Sequence, residues 1–323
     1  MNPKQLFERV AAPFAVPERL LALIAQTQQN LFLPFYHAVY DGKTPPPHLR
    51  HLYSVRSVRE FERDIDTICR YFQPVGLDDI LQQQKAARPF EQPVFHLSFD
   101  DGLRECADLI APILQRKGVP ATFFINSAFA DNNALMFRYK ASLLADALPL
   151  RKAEILSINY TNQNKQGNSL DEIAATQNID FQLFLQQEKP YMNAATLRNM
   201  HQKGFTLGAH SHTHPLYSAL PLAEQIRETE LSLQYIQAIT GSEHRVFSFP
   251  FTDNDVELAF FEAMQFDVSF GCAGVKLDAA PRHLQRTPME HAHQNLAAEK
   301  FIALNYQYFK WLSAVGRERI LRK

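Results

Sequence analysis

Apolar residues fall along this chain in two alternating patterns, short continuous runs bounded by turn residues and longer stretches with helical spacing. Leu31–Tyr36 is the first run, and it predicts a buried strand ending at His37. Val58, Phe61, Ile65, Ile68, Cys69 and Phe72 then recur at helical spacing behind Ser57, with Glu60 placed to close a capping box. A helix over about Leu77–Gln84, a strand at Val94–Phe99, a helix from about Arg104 to Lys117 stopped by Gly118, and a strand at Ala121–Ile125 follow. Residues 131–190 break the rhythm with Asn-, Gln- and Lys-rich helical pieces, Phe137–Ala147 and Leu170–Gln187. Alternation resumes through a helix at Ala194–Gln202, a strand at Phe205–Ala209, a helix from Leu222 to Ile239 ending at Gly241, and a strand at Val246–Phe249. A helix at Val256–Met264, a strand at Val268–Phe270 and a short strand near Leu284 complete the series.

Strand, helix and parallel strand in repeated order predict an α/β protein with a parallel sheet. A length of 323 residues with 46% hydrophobic content can bury a large core and suits one α/β barrel as well as two domains. We expect one domain over 1–323, a helical extension over 1–30 and a helical insertion over 131–190 at the rim of the sheet. Lys plus Arg number 33 against 34 for Asp plus Glu, which argues against a polyanion-binding surface and nucleic acid as a partner. Cys69, Cys106 and Cys272 are odd in number and far apart, as reduced core thiols are. Met1–Asn30 has no continuous apolar h-region, and no window of about 18 apolar residues occurs. The expected compartment is therefore the cytoplasm, with membrane association only through a lipid-linked substrate.

Two runs carry the candidate chemistry, Phe99-Asp100-Asp101-Gly102 and His210-Ser211-His212-Thr213-His214-Pro215. Each directly follows a predicted strand, and in α/β barrels the carboxyl ends of the strands share one mouth. One carboxylate and two imidazoles form a three-ligand catalytic set for a zinc-like ion, with a position left open for water. Adjacent Asp residues in a tight turn can project differently, so one can ligate while its neighbour accepts a proton. Wound as a helical turn, the His run would put His210 and His214 on one face and turn His212 away. An Asp-Asp-Gly turn alone is common at surfaces, and only the joint placement of both runs makes a site.

These motifs resemble those of the NodB-like polysaccharide deacetylases, whose signatures are Thr/Ser-Phe-Asp-Asp-Gly and His-Ser/Thr-x-x-His. Leu33-Pro34-Phe35-Tyr36-His37, Val119–Phe124 and Gly204–His210 extend the similarity, which spans roughly Leu31 to Glu290. The resemblance implies a distorted (β/α) barrel with fewer than eight complete units and removal of an acetyl group from an N-acetylated sugar. It implies Asp101, His210 and His214 as ligands of a divalent metal, with zinc the expected ion, and Asp100 as the base. Phe247-Ser248-Phe249-Pro250-Phe251-Thr252 is closest to the Phe-Ala-Tyr-Pro-Tyr-Gly form of the subgroup resembling poly-N-acetylglucosamine deacetylases, with Pro250 and Phe251 toward substrate.

Two departures follow. Ser248 stands where the family usually carries an Arg, so another group must orient Asp100; Arg286 is the candidate, an exposed surface Arg the alternative. No clean Leu-x-His motif supplies the general acid. His37 is expected to serve, ahead of His283, His291 and His293. The expected partner is a carbohydrate, whether a glycan or a lipid-linked or nucleotide-linked amino sugar. A small-molecule amide or imide hydrolase, and a glycan-binding barrel that has lost turnover, are the competing functions. Phe137, Tyr139 and Tyr191 read as packing residues, with stacking on sugar rings the alternative. Trp311, Phe309, Tyr306 and Tyr308 are expected on the buried face of a last helix.

Overall fold

The computed structural model describes residues 7, 10–11, 19–158, 169–290 and 296–323. Eight short strands form one sheet in the order His283–Gln285, Val268–Gly271, Val246–Ser248, Thr206–Ala209, Ala121–Ile125, Leu97–Phe99, Pro34–Tyr36, Thr287–Pro288. Every pairing in it is parallel. The two edge strands flank the single residue Arg286, so the sheet curls until its edges nearly meet. This is a distorted (β/α) barrel, and it has fewer than eight complete units because no helix separates its last strands.

The strands bury both faces, as parallel strands between helices and a barrel interior must. Inside, Leu33, Phe124, Val246, Val268 and Phe270 pack with Leu77 and Ile80 of the helix Leu77–Lys85. Outside, Tyr36, Phe99, Phe123, Leu207 and Phe247 join the larger core beneath the helices. Register brings Tyr36 beside Phe99, Phe99 beside Phe123, Ile125 beside Ala209 and Gly271 beside Gln285. Residues one step beyond these ends, His37, Asp100, His210 and Arg286, therefore reach the same rim.

Local departures from the expected elements have local causes. Leu31–Tyr36 and Val94–Phe99 are each two strands: Leu31–Phe32 and Val94–Phe95 belong to a separate three-stranded sheet with Gln73–Pro74. Pro34 has no N–H to continue the first ladder. In the second, the His96 ring leaves the strand to meet the Val75 carbonyl and Thr122 Oγ1 at 2.9 Å each. The helix expected over Arg104–Lys117 forms with one wide π turn at Cys106–Ile110, where the missing N–H of Pro112 disturbs the regular ladder. The Ser57 capping box of Val58–Tyr71 is present. Leu170–Gln187 is two helices, Leu170–Thr176 and Phe181–Glu188, because Asn178 is left-handed and Asp180 caps the second. Tyr306, Tyr308 and Phe309 are buried as expected, whereas Trp311 is 44% exposed at the edge of that face, its ring against Phe7. Among the described residues, no helix is long and apolar enough to cross a membrane.

Candidate functional site

The chain turns sharply after the strand Leu97–Phe99. Asp101 and Gly102 are both left-handed, with φ of 72° and 66°, and a side chain at Gly102 would crowd Ile125. Reversal within two residues sends the two carboxylates in different directions. Asp100 faces Arg286: guanidinium NH1 donates to Asp100 Oδ1 at 2.8 Å and NH2 to Oδ2 at 2.7 Å. Arg286 also donates to Ser98 Oγ at 2.9 Å and to Ser248 Oγ, and it stands over the Phe35 ring at 4.2 Å. It is 1% exposed, so it is no surface Arg. The guanidinium comes from the last barrel strands, and Ser248 receives it with a hydroxyl.

Asp101 turns toward the His run. His210 Nε2 lies 3.5 Å and His214 Nε2 3.3 Å from Asp101 Oδ1, and Asp100 Oδ2 is 3.9 Å from His210 Nε2. Candidate ligand atoms of Asp101, His210 and His214 lie within 4.8 Å of one another. The run is not the helical turn that its spacing suggested: Ser211 and His214 are left-handed, with φ of 68° and 58°. A loop pinned from outside produces the convergence instead. Ser211 Oγ accepts from the His214 N–H at 3.0 Å, Asn126 donates to the His210 carbonyl, and Glu228 Oε2 accepts from the Thr213 N–H at 2.7 Å. His212 turns away, its Nδ1 2.8 Å from Ser127 Oγ.

The three side chains suit a metal ion by their hydrogen bonding. His210 Nδ1 lies 2.8 Å from the Ser248 carbonyl, which fixes the tautomer with the Nε2 lone pair facing the cluster. Asp101 Oδ2 accepts from the hydroxyls of Tyr139 at 2.7 Å and Tyr53 at 3.1 Å. Asp101 Oδ1, fully buried, has no hydrogen-bond partner among the described residues. An orphaned carboxylate oxygen beside two imidazole nitrogens is costly unless a cation takes it. Burial opposes ionisation of Asp101, but the approach of His210 and His214 outweighs it and holds the carboxyl well below the usual range. Burial lowers His214, favouring the neutral imidazole that ligates. A second acidic cluster, Asp253, Asp278 and His283, is also close enough to hold an ion, but the Arg322 guanidinium already pairs with both carboxylates.

His37 sits across the mouth. Its Nδ1 lies 2.6 Å from Glu290 Oε2, and its ring stacks on Tyr53 at 3.8 Å. Burial would lower its pKa, but the charge and hydrogen bond of Glu290 raise it to about 9. Among the late histidines, His283 is fully engaged by Ser269, Asp253 and Gln285. His291 and His293 lie outside the described residues. Pro250 is buried, whereas Phe251 is left-handed at φ 56° and 40% exposed, its ring 4.5 Å from that of His214. Phe137 abuts Phe251 at 6.0 Å, and Tyr191 stacks beside Tyr139.

Sequence reasoning missed Tyr53, Glu290 and the hydroxyl role of Tyr139. Nothing around Tyr53 marks it, since it lies in irregular chain 48 residues from the carboxylate it meets. Glu290 stands immediately before His291 and His293, in a stretch with no motif of its own.

A family model described as polysaccharide deacetylase matches residues 87–266, more than half of the chain. No curated protein matches the sequence. Among solved structures, a Streptococcus pyogenes deacetylase, PplD, in complex with acetate superposes with a TM-score of 0.56 at 12% identity, covering 84% of this chain and 96% of that one. IcaB from Ammonifex degensii gives a TM-score of 0.55 at 12% identity, over 86% and 97% of the two chains. A de-N-acetylase from Aggregatibacter actinomycetemcomitans gives 0.53 at 16%, over 80% and 94%. Likeness at these identities is likeness of fold.

Proposed function

The chain belongs to the polysaccharide deacetylase family, and we propose that it is a metal-dependent hydrolase removing the N-acetyl group from a glycan or from a lipid-linked or nucleotide-linked amino sugar. Family membership makes carbohydrate deacetylation its chemistry; the ion, the class of sugar and the residue roles are our reading. One observation carries it. A carboxylate gripped by a buried guanidinium lies 3.9 Å from a three-residue cluster with ligand character, and that cluster contains an unpartnered carboxylate oxygen.

Asp101, His210 and His214 would hold the ion, which when bound acidifies water and polarises the acetyl carbonyl. Asp100 accepts the proton of the attacking water. Arg286 keeps it ionised and, by binding both oxygens, fixes which lone pair faces the substrate. His37 donates a proton to the departing amine nitrogen; the short contact with Glu290 favours its protonated form and aims its other nitrogen across the mouth. Pro250 and Phe251 line the substrate side, with the Phe251 ring offering an apolar face to a sugar beside His214. The helices within 131–190 contribute Tyr139 to Asp101 and Phe137 to Phe251, which supports a role for this segment in shaping access.

The test is acetate release from N-acetylated oligosaccharides and sugar conjugates by protein of known metal content. Release that requires the ion and is abolished in Asp100→Asn supports the proposal. Cleavage of small amides or imides without action on any sugar would overturn the substrate class.

A further inference from the structure

Behind the mouth, the segment Arg319–Lys323 is tied to the loop that carries Phe251. Its strand Arg319–Ile320 pairs in parallel with Leu277–Asp278, and the Lys323 carbonyl accepts from the Leu258 N–H at 2.8 Å. Between these anchors Arg322, with its side chain only 3% exposed, enters the second acidic cluster. It donates through NH2 to Asp253 Oδ2 and, at 2.7 Å, to Asp278 Oδ2; through Nε to Asp278 Oδ1 at 2.9 Å; and through NH1 to the Asp253 carbonyl at 2.7 Å.

Asp253 passes this grip on. Its Oδ1 accepts from the Cys272 N–H at 3.3 Å, and its Oδ2 accepts from Gln285 Nε2 at 2.7 Å. Gln285 Oε1 in turn accepts from the Ala273 N–H at 2.7 Å. Asp253 and Gln285 lie so close over Gly271 that no side chain fits there. The Gly271 carbonyl takes both the backbone N–H of Arg286 at 3.2 Å and its Nε at 3.3 Å. That same guanidinium grips Asp100.

We propose that Arg322 is a positioning residue for the reaction: by clamping Asp253 it fixes the Gly271 carbonyl under Arg286 and holds the Pro250–Asp253 loop that carries Phe251. The inference rests on the roles given above to Asp100, Arg286 and Phe251. A guanidinium held by two carboxylates and a backbone carbonyl is a poor device for anchoring a segment alone, since an ion pair buried at such depth seldom stabilises more than apolar packing would. Its distinctive return is geometric, because small misplacements of a catalytic group cost large factors in rate.

The test compares wild type, Arg322→Met, Arg322→Lys and the isosteric Asp278→Asn, assayed well below each protein's Tm at equal metal content, with Asp100→Asn as control. Arg322→Met and Asp278→Asn are expected to lower kcat on the order of tenfold with KM nearly unchanged. Arg322→Lys should recover part of the loss, and Arg322→Met combined with Asp278→Asn should be no worse than Arg322→Met alone, as sites acting through one contact do. If Arg322→Met does not fold, Asp278→Asn and Arg322→Lys decide. An active wild type whose Arg322 and Asp278 variants lose only Tm would overturn the inference and leave the deacetylase reading standing. A wild type that releases no acetate would end both.

Discussion

At Asp100 two opposed effects meet. Burial pushes its pKa up, while the charge and paired hydrogen bonds of Arg286, with His210 nearby, bring it below the ordinary carboxylate range. A base must be ionised to accept a proton, so the acid limb of the rate profile should lie below the usual Asp range. Arg286→Met removes the strongest counterweight to burial; kcat should fall and the acid limb should move to higher pH, as a profile of kcat against pH would read. A limb that does not move, or moves to lower pH, would contradict the pairing. Asp100→Asn should cost at least about 100-fold in kcat while metal content measured by elemental analysis is unchanged. At this scale Asp100, Asp101, His210 and His214 were legible because their chemistry is written in two short runs. Arg286 was legible only as a vacancy at Ser248 that some cation had to fill. Tyr53 and Glu290 left no local mark, since each meets the site through contacts that only tertiary packing creates.

Among the elements, the helix Leu222–Thr240 governs the His run. Glu228, buried on it, accepts from the Thr213 N–H at 2.7 Å and the Thr213 hydroxyl at 3.1 Å, while its own carbonyl takes the His212 N–H at 3.0 Å. Glu228→Ala would deprive two half-buried Thr213 donors of this acceptor, a cost of about 1 kcal/mol. Loosening the loop should also weaken metal binding by about 10–100-fold, as loss of outer-shell partners does. Urea titration and chelator competition measure the two effects; unchanged affinity would show that the loop holds itself. Helical spacing put the two histidines together for the wrong local reason. The strands and most helices were legible from apolar runs and stop residues such as Gly118 and Gly241, both left-handed as helix stops require. The break at His96 was not, because its ring meets partners from distant segments, whereas Pro34 marks the break at Leu33 in the sequence itself.

In the whole molecule, two buried histidines, His48 and His96, make acid destabilising. Burial lowers His48 to about 3, helped by Arg104, and lowers His96 to about 4. Both stay neutral in the folded state and take protons near 6.5 when unfolded. Their contribution is therefore complete above that pH and declines as pH falls toward 4 and then 3. The urea midpoint should drop steeply between pH 7 and 5, and His48→Leu, which removes two buried nitrogens that have no partner among the described residues, should flatten that slope. A variant with the wild-type slope would contradict this reading.

The claim on which the function turns is that one ion sits between Asp101, His210 and His214. Anomalous diffraction at the zinc edge from crystals of the metal-loaded protein tests it directly. A single peak at about 2.0–2.2 Å from Asp101 Oδ1, His210 Nε2 and His214 Nε2 is predicted. No peak there, or one at Asp253, Asp278 and His283 instead, would contradict it.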